Sequence, residues 1–140
     1  NIPINSDEHL AWCHTTTPLF DDYEKVLQKY ITIHKSKHFD CLLTVSKFNE
    51  FIVSEQKKPI NYSWGPWHQY SQYLDQLFTI TGTIFISTKS NFLKHRYVIA
   101  NKPYFYEISR YESLDIDDNY DFELAKLLLK NKKLKKYAQE

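Results

Sequence analysis

Glycine is nearly missing from this chain: Gly65 and Gly82 are the only two in 140 residues. Phosphate-cradling loops of the Gly-x-x-x-x-Gly-Lys or Gly-x-Gly-x-x-Gly kind need several glycines close together, so these residues supply neither. A Gly-x-Ser-x-Gly nucleophile elbow is absent too, which removes support for a serine hydrolase. Arginine is almost as scarce, with Arg96 and Arg110 alone among many lysines. Bidentate reading of phosphate or guanine favours arginine, and the net charge is only +1, so a nucleic-acid surface is not expected. No apolar run is long enough to cross a bilayer and no signal-peptide pattern opens the chain, so no membrane association is expected. Cys13 and Cys41 have neither metal nor redox spacing. They read as buried free thiols of a reducing compartment, which points to the cytoplasm. His9, Cys13 and His14 lack zinc spacing as well.

What is plentiful is aromatic side chain and strand-then-helix patterning. His9 to Cys13 is a short, mostly apolar run that reads as a buried strand. The following His14-Thr15-Thr16-Thr17-Pro18 loop is forced extended ahead of Pro18. Asp21 and Asp22 then suit a helix start, and Tyr23, Val26, Leu27, Tyr30, Ile31 and His34 recur at helical spacing. Phe39 to Ser46 reads as a strand buried on both faces. From Phe48 to Tyr73 the pattern breaks down around Pro59, Gly65, Pro66 and the aromatics Tyr62, Trp64, Trp67 and Tyr70. Residues 48–73 are too long for an ordinary connection, which points to a functional or partner-bound segment. Leu77 to Ser87 is strand-like, with Gly82 in its middle marking a close backbone approach. Tyr97 to Ile99 and Tyr104 to Ile108 are further candidate strands. A last helix is expected from Asp118 or Asn119, burying Phe122, Ala125, Leu128 and Leu129, and running into lysines 130–136 as a solvated end. No repeat or linker divides the chain, so residues 1–140 read as a single α/β domain with a largely parallel sheet, whose ligands bind at the strands' carboxyl ends.

The candidate chemistry lies in two places. Glu112-Ser113-Leu114-Asp115-Ile116-Asp117-Asp118 concentrates carboxylates between a strand and a helix. In an extended backbone Asp115 and Asp117 share one face with Ile116 behind them, the arrangement that a hard divalent cation takes. A solvated turn with a helix cap accounts fully for Asp118 and Asp121 and less well for Asp115, so both readings stay open. His14, Thr16 and Thr17 are either local turn chemistry or a ligand-contacting loop at the sheet's edge.

Four segments, in order, resemble the acylneuraminate cytidylyltransferases, the CMP-sugar synthetases. Leu10-Ala11-Trp12-Cys13-His14-Thr15-Thr16-Thr17-Pro18-Leu19 is similar to the family's strand ending in Thr-Ser-Pro-Leu. Phe39-Asp40-Cys41-Leu42-Leu43-Thr44-Val45-Ser46 resembles its Phe-Asp-Ser-hydrophobic-Ser-Val strand. Gln72 through Thr83 resembles the Gln-Asp-Leu…Asn-Gly-Ala stretch, and Ser113-Leu114-Asp115-Ile116-Asp117…Asp121-Phe122 the closing Ser-Ile-Asp-Ile-Asp…Asp-Phe motif.

The resemblance implies a Rossmann-like nucleotide-diphospho-sugar transferase fold, a mixed and mostly parallel sheet with flanking helices. It implies transfer of CMP from CTP to an acidic sugar with release of pyrophosphate. It assigns Mg²⁺ to Asp115 and Asp117, which also take the catalytic role, and substrate contacts to His14, Thr16, Thr17, Gln72, Thr81 and Gly82. Residues 48–73 would be an inserted arm that makes a homodimer. The chain departs from the pattern at Tyr70 and Ser71, where the family has an arginine, and at Thr81, where it has asparagine. The family's glycine-rich, basic N-terminal nucleotide loop has no counterpart, so residues 1–140 are expected to be the C-terminal portion of a longer enzyme. The competing expectation is a non-catalytic binding or assembly module of the same fold.

Overall fold

A computed structural model describes residue 5 and residues 8–65 and 69–138. Two compact units emerge, one built from the residues up to Ser46 and from Ile80 on, the other from Lys47–Thr79. The first unit is α/β. Its elements are β1 (His9–Cys13), α1 (Tyr23–Ser36), β2 (Cys41–Phe48), β3 (Leu77–Thr88), α2 (Lys89–His95), β4 (Pro103–Glu107) and α3 (Asn119–Lys130), and the two ends of the intervening unit leave from β2 and return through β3. The four strands form one mixed sheet in the order β1-β3-β2-β4.

β1 pairs antiparallel with β3, Ala11 opposite Ile86, and β2 pairs parallel with β4, Leu43 opposite Phe105. Between β2 and β3, Ser87 reaches Asp40 while Thr81 reaches Thr44, so those contacts step in opposite directions. The sheet is therefore mixed, as expected, but its pairing is not predominantly parallel. β3 opposes its neighbours because the chain returns to it through the Lys47–Thr79 unit and not through a crossover helix.

β2 carries six consecutive buried residues, Cys41 to Ser46, because both faces are covered. Leu42 packs with Ile84, Ile86, Val26, Tyr30 and Ile33 on the α1 side. Leu43 and Val45 pack with Phe85, Val98 and Ile99 on the other side. Tyr97 to Ile99 is thus irregular chain and not a strand, with Val98 and Ile99 covering the core and Tyr97 exposed. β1 differs from expectation too: it is the sheet's edge, and all of its residues except Leu10 are exposed, Trp12 by 54%. Cys13 is accordingly exposed, and only Cys41 is a buried thiol.

α1 starts after Asp22, whose carboxylate pairs with Lys25 at 2.7 Å and caps no backbone N–H. α3 starts as expected: Asp118 accepts from the N–H groups of Tyr120 and Asp121. Its expected apolar face is only partly used, since Ala125 is buried while Phe122 and Leu129 are exposed. α2 has no periodic signal in so short a run; Thr88 caps it by accepting the Asn91 N–H at 3.2 Å.

The Lys47–Thr79 unit is a small looped structure. Val53 bridges Pro59, and the Ile60 N–H donates to the Ile52 carbonyl at 2.9 Å. Asn61 clamps it, accepting from the Ile52 N–H and donating to the Glu50 carbonyl, both at 2.8 Å. Phe51 and Tyr62 meet edge to face with ring centres 4.9 Å apart. Trp64, Tyr70 and Tyr73 are exposed, and Trp67 lies outside the described residues. Among the described residues no helix is long and apolar enough to cross a membrane.

Candidate functional site

Three of the segments singled out by sequence meet in the first unit. The loop after β1 comes first. Thr17 is buried and donates its hydroxyl to the His14 carbonyl at 3.3 Å, which is local turn chemistry. That turn aims the His14 imidazole across to β3. A methyl group on Gly82 would lie 2.8 Å from His14 Nδ1 and 3.1 Å from its Cε1. Gly82 also has φ +69°, a left-handed conformation that L side chains disfavour. The glycine therefore serves two purposes: it allows the β3 backbone to turn there, and it leaves room for the histidine. The imidazole also lies 6.1 Å, centre to centre, from Phe85.

Thr81 does not face a free site. Its hydroxyl donates to Thr44 Oγ1 at 2.9 Å and lies 3.2 Å from the Thr44 carbonyl, and Thr83 Oγ1 donates to it at 3.1 Å. Thr44 Oγ1 in turn accepts the Ile84 N–H at 3.1 Å. All three threonines are buried. Where asparagine was the expected substrate-facing type, this chain has a closed hydroxyl network that fastens β2 to β3.

The acidic turn arrives on the other side of the threonine loop. The Ile116 N–H donates to the Thr16 carbonyl at 2.9 Å, which ties the two segments together across a separation of 100 positions. Thr16 thus contributes its backbone. Asp115 Oδ1 is buried and has no hydrogen-bond partner among the described residues. An unpaired buried carboxylate oxygen is costly and calls for a donor or a cation. Asp117 is exposed; its N–H donates to Asp121 Oδ2 at 3.2 Å. The two aspartates line different hollows. Asp115 lies with Arg110, Tyr111, Leu124 and Leu128, while Asp117 lies with Ile116, Asp118 and Phe122. Gln72 is exposed on a single 3-10 turn, Ser71–Tyr73, of the Lys47–Thr79 unit.

A second polar cluster has no local sequence signature. Glu112 is buried, and its Oε2 accepts from both the N–H and the hydroxyl of Ser109, at 3.1 and 2.7 Å. Carboxylate oxygens of Asp21, Asp22 and Glu112 all lie within 4.8 Å of one another, a grouping that would suit a cation. Lys135 supplies one: its Nζ stands 3.0 Å from Asp21 Oδ1 and 3.3 Å from Glu112 Oε1. The hydrogen bond to Asp21 pushes the Lys135 pKa above its ordinary value. Part of the lysine run is therefore engaged in the fold and is not merely a solvated helix end. Residues so far apart in the chain carry no spacing rule by which sequence reasoning would join them. Searches of protein-family models and of curated proteins found nothing that matches this chain.

Proposed function

We propose that this chain is the C-terminal portion of a cytidylyltransferase, transferring CMP from CTP to an acidic sugar and releasing pyrophosphate. The supporting observation is the Thr16–Ile116 backbone hydrogen bond at 2.9 Å, which joins the threonine loop to the acidic turn. His14 against Gly82 adds the third segment. The resemblance gives magnesium to Asp115 and Asp117. Because they line different hollows in this conformation, holding one ion would require the acidic turn to bring the Asp117 carboxylate toward Asp115. The buried, unpartnered Oδ1 of Asp115 fits such a cation, and Asp117 offers an exposed carboxylate. When bound, the ion would offset charge on the triphosphate during attack by the sugar hydroxyl. His14 would donate to a sugar or phosphate oxygen, and the Thr16–Thr17 turn would hold it in place. A Rossmann-like classification, a cytoplasmic location and dimerisation through residues 48–73 belong to the same proposal, as does a glycine-rich phosphate loop contributed by further polypeptide.

The test is pyrophosphate release from CTP, Mg²⁺ and N-acetylneuraminate or related nonulosonic acids by the longest natural form of the protein. Asp117→Asn is expected to abolish turnover with an unchanged circular dichroism spectrum; full turnover in that variant removes the site. Asp115→Asn is expected to weaken Mg²⁺ binding measured by calorimetry while leaving the melting temperature nearly unchanged, since the Oδ1 it alters makes no hydrogen bond among the described residues. A non-catalytic assembly module is the second reading. It is favoured by the exposed Val53, Ile60, Trp64, Tyr70 and Tyr73 of the Lys47–Thr79 unit, the residue types of protein interfaces. Metal-independent self-association without turnover would select it.

A further inference from the structure

The chain between β4 and α3 coils once and leaves a hollow against α3. The Ser113 N–H donates to the Ser109 carbonyl at 3.0 Å, and the Ser113 hydroxyl donates to the Arg110 carbonyl at 3.1 Å. Leu124 and Leu128, one helical turn apart on α3, line the hollow beside this coil. The 3-10 segment Lys132–Ala138 follows α3 and supplies Leu134 and Tyr137 to the same lining. Lys135 fastens that segment through its ion pair with Glu112, a residue of the coil itself. The hollow measures about 570 Å³, a size typical of sites for small molecules.

Two opposite charges line this hollow without meeting. Arg110 is exposed, and its guanidinium makes no hydrogen bond or ion pair among the described residues. Asp115 is half-buried, with Oδ1 buried and without a partner. Among the described residues no cation pairs with its carboxylate, Arg110 included, although the two are only five positions apart. The leucines and Tyr137 make the rest of the lining mostly apolar. A purely apolar ligand seated there would strip water from both charges and replace it with nothing. A ligand carrying one charge would satisfy one residue and leave the other. The lining is complementary to a small molecule that carries both signs on an apolar body.

We propose that this hollow binds a free α-amino acid with a large apolar or aromatic side chain. Its ammonium group meets the Asp115 carboxylate. Its carboxylate accepts from the forked guanidinium of Arg110, a pairing that lysine could not make in two-pronged form. Its side chain lies against Leu124, Leu128, Leu134 and Tyr137. Such a site goes beyond the proposed activity, because neither CTP nor sugar nor further polypeptide enters it. Asp115 is common to both. A magnesium ion shared with Asp117 needs the two carboxylates together, whereas here they line different hollows. An amino acid on Asp115 and a shared magnesium ion therefore exclude one another, which makes the ligand a brake on the metal site.

Isothermal titration of the full chain with L-phenylalanine, in buffer without metal or nucleotide, tests the proposal. Saturable binding is expected at submillimolar concentration. Phenethylamine lacks the carboxylate and hydrocinnamate lacks the ammonium group; each is expected to bind roughly tenfold more weakly or worse. Arg110→Gln is expected to weaken phenylalanine by a similar factor and to leave phenethylamine unchanged. Asp115→Asn is expected to weaken phenylalanine likewise and to leave hydrocinnamate unchanged. Matching each variant to one ligand group separates a direct contact from a general loss of structure. Arg110 is exposed, so its variant keeps the test valid should Asp115→Asn fail to fold. Absence of saturable binding overturns the proposal. So does phenethylamine or hydrocinnamate binding as tightly as phenylalanine, which would make the hollow a site for one charge only. Unchanged phenylalanine affinity in Arg110→Gln overturns it as well. Because the titration contains no CTP, its failure and a failure of cytidylyl transfer are read separately.

Discussion

Replacing Gly82 by alanine probes the meeting point of β3 and the threonine loop. Two effects add. The residue has φ +69°, and an L side chain in that left-handed region costs roughly 1–2 kcal/mol. The new methyl would also come within 2.8 Å of His14 Nδ1, closer than any relaxed contact allows. The three nearest atoms to that methyl all belong to His14, whose side chain is exposed, so the ring can swing aside at small energetic cost. The stability loss should therefore stay near the backbone figure, roughly 1–2 kcal/mol, while the imidazole moves. For a chain of this size that is a fall of roughly 3–6 °C in melting temperature. Calorimetry reads the first effect, and the imidazole proton resonances of His14 read the second. Gly82→Asn should cost less in the backbone, because asparagine tolerates the left-handed region. In the double variant with His14→Ala the clash disappears but the backbone cost remains, so only a small coupling between the two sites is expected. A Gly82→Ala protein with undiminished melting temperature and unshifted His14 resonances would refute the geometry on both counts.

Glu112→Ala should cost about 1–3 kcal/mol in urea unfolding, because it strands the Ser109 N–H and hydroxyl. Lys135→Met should cost less, roughly 0.5–1 kcal/mol, as expected for a partly exposed ion pair. Since the Lys135 pKa is raised in the folded state, its contribution is complete below about pH 10.5 and disappears as pH climbs through the folded value. Stability curves for Lys135→Met should therefore converge on wild type at the alkaline end. Tyr30 is pushed up to about 12, first by burial and then by the nearby Cys41 and Asp40. Its stabilising effect should hold below about pH 10 and be lost between there and 12. A phenolate absorbance titration of Tyr30→Phe should lack the step near that upper value.

Legibility from sequence followed the range over which each interaction acts. α1, β3 and the Asp118-capped start of α3 were readable because periodicity and capping are local. β2 was readable because six buried residues in a row leave a run of small and apolar side chains with only Thr44 and Ser46 polar. β1 misled: its apolar residues look like a core strand, yet it lies at the edge of the sheet, and strand order is decided by pairings far along the chain. α2 offered only Thr88 ahead of a seven-residue stretch, a cap without a period. In the site, Gly82 in mid-strand marks a close backbone approach, but what lies against it is a side chain, the His14 imidazole. Thr81 looked like a substrate contact by position and is instead part of a buried network with Thr44 and Thr83. The Asp21–Glu112–Lys135 cluster was invisible because its members meet only once β4 and the C-terminal segment have been placed.

The bond between Thr81 and Thr44 spans 37 positions, and everything inside that span apart from the strand ends belongs to the Lys47–Thr79 unit. β2 and β3 are neighbours in the sheet, so the excursion leaves and returns at adjacent points. Closing a flexible loop costs only about 0.6 kcal/mol more for each doubling of its length. Evolution can therefore lengthen, shorten or rewrite that excursion almost without consequence for the sheet, provided the hydroxyl clasp at its base survives.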